Sequence, residues 1–344
     1  MRIALNAPVW IRVPPERYGG TELVVYLLAE ELVRGGHDVT LFASGDSKTG
    51  AKLVSVFEHP QTRHIGTSRP DLLHSIQAYR RAHEFDLIHD HTGYSGTAFG
   101  SLIDGPVLCT LHGDFNKANI EFYSHFAQDV YYNAISEAQR LSYPSLNYKP
   151  TVYNAIEIEK CTYSSEKEDF LLWLSRVNWQ KAPELAIEAA KKLDMRLVMA
   201  GKIDPGGDRR FFEKKVLPHI DGERVIFLGE VTEDQKRDLM SRARCFLFPI
   251  QWAEPFGLVM PEALASGTPV VAWRNGAAPE IVEDGVTGFL VESLDEMVAA
   301  VERIGEIDPA RCREEAVRRF SPQRMAADYV AIYHEMLGER KQVS

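Results

Sequence analysis

Glu254 and Glu262 are separated by seven residues in the stretch FPIQWAEPFGLVMPEALASGTPVVAWRNGAAPEIVEDGVTGFLV, which runs from Phe248 to Val291. A helix starting near Leu258 would leave Glu254 in the preceding loop and put Glu262 about one turn inside, so that both could face one ligand. Between them, Phe256, Gly257, Leu258 and Val259 would offer backbone N–H groups at a helix start, where unpaired donors and the helix dipole favour a phosphate. Gly257 lets the backbone come close. A carboxylate accepts two hydrogen bonds from paired hydroxyls, such as those of a ribose or hexose. Taken alone, two glutamates at this spacing read as a helix-surface residue and a loop charge; the full string tells against that.

Binding phosphate groups requires positive charge or dipoles beside them, and the chain has no DxD motif to hold a metal. Arg176, at the end of an expected strand Phe170 to Ser175, and Lys181, just before a helix beginning near Pro183, sit where a phosphate would be received. Spacing alone fits solvated loop charges equally well. Gly19-Gly20 precedes a helix from Glu22 to Arg34 and is by itself a turn. His112 ends another strand and precedes Gly113, which would leave its ring free to project. Nine of the eleven histidines fall before residue 126, and His89-Asp90-His91 invites a metal-site reading. Two histidines with one intervening aspartate give no further ligands, so a satisfied strand-end histidine fits better.

Short apolar runs alternating with helical segments must position these residues, a pattern of parallel sheets covered on both faces. The expected strands are Ile3 to Asn6, Val39 to Phe42, Leu87 to His89, Val107 to Leu111 and Asn133 to Ser136, then Phe170 to Ser175, Arg196 to Ala200, Val225 to Leu228, Cys245 to Pro249 and Val270 to Ala272. Two such sets imply two doubly wound α/β domains, residues 1–165 and 166–321, joined through the polar segment Thr162 to Asp169. A last amphipathic helix within residues 322–344 is expected to pack back on the first domain. Open sheets of this kind bind ligands at the carboxyl ends of their strands, where strand order reverses, and two facing domains make a cleft.

The 344 residues, 45% of them hydrophobic, suffice for two cores. The net charge of -10 is spread evenly, with 14 basic and 18 acidic side chains in residues 1–160 and 25 and 31 in the rest. That excludes the basic footprint of a nucleic-acid binder. Cys109, Cys161, Cys245 and Cys312 form no CxxC pair, which fits a reducing cytoplasm. No apolar run reaches the ~18 residues of a membrane span. Arg63, Arg69, Arg80 and Arg81, between His59 and Arg81, could give peripheral membrane contact with a phospholipid-linked acceptor; a solvated helix face is the favoured reading. A dinucleotide-binding dehydrogenase is excluded because the first loop, Asn6-Ala7-Pro8-Val9-Trp10, lacks the G-x-G-x-x-G turn.

The Phe248 to Val291 string resembles the signature of family 4 glycosyltransferases of the GT-B fold, in which two glutamates flank FG(L/I)V and A-x-G-TPVV follows. The resemblance extends to Tyr18-Gly19-Gly20-Thr21-Glu22, Thr110-Leu111-His112-Gly113, Ile135-Ser136-Glu137, Val152-Tyr153-Asn154, Ser175-Arg176 and Gln180-Lys181. It implies two Rossmann-like domains and transfer of a hexose, with retention, from a nucleotide diphosphate sugar to a glycan, lipid-linked or small-molecule acceptor. UDP-glucose is the favoured donor and GDP-mannose the next, with neither cofactor nor metal. By the same resemblance Arg176 and Lys181 hold the pyrophosphate, Glu254 the hexose and Glu262 the ribose, and Gly19-Gly20 approaches the phosphates. His112 contacts the donor sugar in an orienting or electrostatic role, and Val231, in the loop Leu228 to Glu233, lies where the base is held. The leaving phosphate takes the acceptor proton. Ala182 departs from the family's glycine and implies a tighter turn. A GT-B phosphorylase using inorganic phosphate and a non-catalytic sugar-nucleotide sensor are the rival readings; the ribose-binding glutamate speaks against the first and the full residue set against the second.

Overall fold

In the computed structural model, which describes residues 1–17 and 19–343 with side chains through Glu339, twelve strands form two six-stranded parallel sheets. The chain divides into two units. Unit 1 comprises Met1–Ile156 and the C-terminal helix Pro322–Val343; unit 2 comprises Glu157–Ser321. Tyr18, part of the motif before the first helix, lies outside the described residues.

Unit 1 contains β1 (Arg2–Asn6), β2 (Asp38–Phe42), β3 (Lys52–Val54), β4 (Leu87–Asp90), β5 (Val107–Leu111) and β6 (Tyr131–Ala134), ordered β3-β2-β1-β4-β5-β6. Every residue of β5 is buried, as expected of a parallel strand covered on both faces. The helix after β1 runs Gly20–Arg34, two residues earlier than periodicity suggests, because Gly19 is its N-cap. It buries Val24, Leu28 and Leu32, and Gly35 N–H closes it on the Glu31 carbonyl at 2.8 Å. The Pro322–Val343 helix packs within unit 1. Its Tyr333 hydroxyl lies 2.7 Å from His89 Nδ1, and its Glu335 and Glu339 hold Lys149 Nζ at 2.9 and 2.6 Å.

Unit 2 contains β7 (Phe170–Leu174), β8 (Arg196–Ala200), β9 (Val225–Phe227), β10 (Cys245–Phe248), β11 (Val270–Trp273) and β12 (Gly288–Val291), ordered β12-β11-β10-β7-β8-β9. Strand order reverses between β1 and β4 in unit 1 and between β7 and β10 in unit 2, the places where open sheets of this kind form crevices for ligands.

Four expectations need correction. β3 and β12 are further strands; β3 is only three residues long and starts with a lysine, and its register is set by pairing with β2. β6 lies two residues before the expected Asn133 to Ser136, since Ser136 instead caps the helix Glu137–Ser142 by accepting from Gln139 N–H. β7 stops at Leu174, leaving Arg176 in the loop beyond. The division between units falls at Ile156, and residues 162–169 belong to unit 2. Lys167 pins that segment by donating to the carbonyls of Ser241 and Ser266 and to Thr268 Oγ1, at 2.7, 3.1 and 2.9 Å.

Candidate functional site

Lys181 and Glu254 form an ion pair at the point where unit 2's strand order reverses, one from the loop after β7 and the other from the loop after β10. Both loops are tied down. Asn178, itself buried, accepts from Lys181 N–H at 3.1 Å, the Trp173 indole donates to the Lys181 carbonyl at 3.2 Å, and Gln251 N–H joins the Gln180 carbonyl at 2.8 Å. The Trp252 indole N–H donates to Glu254 Oε2 at 2.9 Å, and its ring lies 5.3 Å from Lys181 Nζ. A cation already held by a carboxylate and an aromatic face keeps a fixed position for an incoming phosphate.

Glycine shapes this corner. Gly276, in the loop after β11, has φ +53°, and a Cβ there would lie 2.4 Å from the Glu254 nitrogen and 2.5 Å from its carbonyl oxygen. Ala277 N–H then donates to the Glu254 carbonyl at 2.9 Å, so this loop fixes the backbone of the acidic residue. Gly257 has φ +84°, the left-handed region that leads Phe256 into the helix Val259–Ala265, for which Leu258 is the N-cap. Met260 N–H turns back to the Gly257 carbonyl at 3.0 Å, while the N–H groups of Gly257 and Leu258 find no protein acceptor among the described residues.

Glu262 does not share the partner of Glu254. It binds Lys236 Nζ at 3.0 Å, and Lys236 also holds Glu233 at 2.8 Å. Burial raises the Glu262 carboxyl above its ordinary range against the opposing pull of Lys236. Burial would lower the Lys236 ammonium, but the two carboxylates outweigh it and raise it. Sequence reasoning missed Lys236, which is 26 residues from its partner and carries no local signal. Val231 is half-buried in the loop after β9, immediately before the Thr232–Gln235 capping box. Arg176 is half-exposed and faces Asp204 and Asp208 at 3.7 Å each, rather than Glu254. Ala182 has φ +44° and ψ +55° and caps the helix Pro183–Leu193; the left-handed conformation accounts for the glycine usual at this place.

In unit 1 the corresponding rim is built mostly of histidines and hydroxyls, with one buried carboxyl, Asp90. His89 is saturated, with Nδ1 on the Tyr333 hydroxyl and Nε2 on Thr110 Oγ1, each at 2.7 Å. His91 Nδ1 lies 2.9 Å from His112 Nε2, the ring centroids 5.2 Å apart and the ring planes inclined by 29°. Burial pushes the His112 imidazole down to about 4 and holds His89 and His91 well below the usual histidine range. Asp90, also buried, accepts from Asn6 Nδ2, the Tyr79 hydroxyl and Thr92 N–H at 2.6, 2.9 and 2.7 Å. No group of three histidine, cysteine or acidic side chains among the described residues could hold a metal. Gly19 makes the N-cap of the first helix, with its Cα facing Pro15, and Gly20 begins the helix.

Two family models cover the chain almost end to end: "Glycosyltransferase Family 4" matches residues 18–149 and "Glycosyl transferases group 1" residues 156–319. The chain belongs to glycosyltransferase family 4. It is therefore a transferase. An uncharacterized glycosyltransferase of Methanocaldococcus jannaschii is 25% identical, aligned over 98% of this chain and all of its own length. N-acetyl-alpha-D-glucosaminyl L-malate synthase of Bacillus anthracis is 24% identical over 94% of this chain and 96% of its own. Among solved structures, a glycosyltransferase involved in avilamycin A biosynthesis superposes with a TM-score of 0.75 at 26% identity, covering 98% of each chain. Anabaena HepE, solved with UDP and glucose, superposes at 0.73 and 20% identity, covering 96% of this chain and 99% of its own; that likeness carries the GT-B fold.

Proposed function

We propose that this glycosyltransferase moves a hexose from a nucleotide diphosphate sugar to a hydroxyl acceptor with retention and without a metal. The observation that carries this reading is the Lys181–Glu254 pair at the strand-order reversal of unit 2. A departing diphosphate develops negative charge, which a preorganised cation stabilises more in the transition state than in the ground state. Lys181 has that position, with Arg176 as a second cation on the same loop. With Lys181 held for the pyrophosphate, the remaining lone pairs of Glu254 accept from hexose hydroxyls, and Gly257 and Leu258 offer N–H groups to the phosphates. Glu262 is assigned to the ribose, Val231 to the base, and Gly19 and Gly20 to the phosphates. His112 is assigned to the donor sugar. The leaving phosphate oxygen takes the acceptor proton as its bond to the anomeric carbon breaks and the acceptor oxygen attacks the same face.

UDP-glucose is the proposed donor, and the same fold holds UDP-glucose in Anabaena HepE. The acceptor is a glycan, a lipid-linked sugar or a small polyol. No described helix is long and apolar enough to cross a membrane, and a cytoplasmic site of action with peripheral membrane contact belongs to the same proposal. Incubation with UDP-glucose and EDTA, followed by proton NMR, tests the chemistry: release of UDP with the α anomer formed first is expected. A β product, or strict dependence on added Mn or Mg, would overturn it.

A further inference from the structure

His112 is held from two directions by side chains that no ligand role requires. Its Nε2 faces His91 Nδ1 at 2.9 Å. Its backbone is fixed on both flanks by Gln139, whose Nε2 donates to the carbonyls of Leu111 and Gly113 at 2.9 and 2.7 Å. Gln139 Oε1 accepts from Ile135 N–H at 2.9 Å, and its own N–H is held by Ser136 Oγ at 3.0 Å. The Gln139 amide thus spends both donors and its acceptor on backbone groups around the turn that bears His112, and its side chain is almost fully buried.

The hydrogen-bond partners also fix which nitrogen of His91 and of His112 carries the proton. His91 is buried, and its Nε2 has no partner. A proton there would be a buried, unpaired N–H, the costlier orphan, whereas a bare lone pair is tolerated. His91 therefore carries its proton on Nδ1 and donates it to His112 Nε2. A neutral His112 that accepts at Nε2 must carry its proton on Nδ1. That nitrogen meets no protein acceptor among the described residues.

We propose that His91 and Gln139 are positioning residues that hold His112 in a single neutral tautomer, with Nδ1–H presented as a hydrogen-bond donor to an oxygen of the transferred sugar. The proposal rests on the reading that His112 meets the donor sugar. It makes His112 a donor to the substrate, not a base toward the acceptor, and leaves the acceptor proton to the departing phosphate.

The test combines nitrogen-15 NMR of the histidine-labelled full chain with UDP release from UDP-glucose. Wild type should show His112 with a protonated Nδ1 and a bare Nε2. His91→Asn places an amide where Nδ1 was and should preserve that signature and most of the activity. His91→Phe should keep the melting temperature near that of wild type, while Gln139→Met, which leaves the Ile135 N–H without its acceptor, should lower it but leave unfolding cooperative. Each should lower UDP release by about tenfold to a hundredfold, the usual cost of a misplaced contact. In a His112→Ala background, adding His91→Phe should change UDP release no further. A protonated Nε2 on His112, or His91→Phe releasing UDP as fast as His91→Asn, would overturn the proposal. Full activity in His112→Ala would defeat the role given to His112 itself, which is a separate failure, because the tautomer signature is read without turnover.

Discussion

Ten of the eleven histidines belong to unit 1 and one, His219, to unit 2. The difference reaches the rims of the two sheets. At the strand ends of unit 1, Asn6 bonds to Asp90, His89 to Thr110 and His91 to His112, so that mostly uncharged groups pair with one another. In unit 2 the corresponding loops carry ions in pairs, Lys181 with Glu254, Lys236 with Glu262, and Arg176 with Asp204 and Asp208. One sheet topology thus carries two kinds of rim. Paired ions suit a ligand that bears charge and gains more during reaction; neutral, directional donors and acceptors suit hydroxyls.

The ionic rim should be the more sensitive of the two. Lys181→Ala and Glu254→Ala are each expected to lower UDP release from UDP-glucose by at least ~100-fold while the thermal unfolding transition remains cooperative. Wild-type rates in either variant would remove unit 2's pair from the chemistry. Gly276→Val tests the same corner without touching an ion: its Cβ would collide with the Glu254 backbone. We expect a loss of about tenfold or more, since small displacements of positioning groups are costly. Activity equal to wild type would show that Glu254 tolerates movement.

Acid should separate the units. Burial lowers His74 and His112 to about 4, with His89 and His91 well below the ordinary value of 6.5. A histidine that stays neutral when folded but charges when unfolded costs stability as pH falls below 6.5, progressively until the folded group itself titrates. Burial raises Glu22 to about 7 and Asp71 to about 6, which contributes in the opposite sense as pH falls, but that gain is complete near the ordinary carboxyl values of 4.5 and 3.8. Four histidines outweigh the carboxyls. Hydrogen exchange between pH 6.5 and 4 should therefore show unit 1 strands losing protection before those of unit 2; simultaneous loss would contradict this. The smallest effect is expected at Ala182, where Ala182→Gly relieves a left-handed alanine. It should stabilise unit 2 by about 0.5–1 kcal/mol in denaturant unfolding, and destabilisation would show that the chain tolerates φ +44° without strain.

The ionic rim was largely legible because its residues sit in local strings. Glu254, Gly257 and Glu262 fall within one motif, and Lys181 lies two residues before the proline that starts the helix Pro183–Leu193. The partners were not legible. Lys236 meets Glu262 only because the helix Glu233–Arg242 lies beside Val259–Ala265. Gln139 reaches back 28 residues to Leu111, and Lys167 draws a polar stretch that reads as a linker into unit 2 through acceptors 74 to 101 residues away. Sequence periodicity marks elements and local motifs mark candidate site residues, but contacts between distant segments follow from packing. The three-residue β3 shows the same limit, since its pairing with β2, not its composition, makes it a strand.

Calorimetric titration of UDP and GDP into wild type and Lys181→Ala, both in EDTA, bears most directly on a nucleotide diphosphate held by paired ions alone. Wild type should bind one of the two clearly, and Lys181→Ala should weaken that binding by about tenfold or more, equivalent to ~1.4 kcal/mol. Equal binding by the two proteins, or none to wild type until a divalent metal is added, would contradict it.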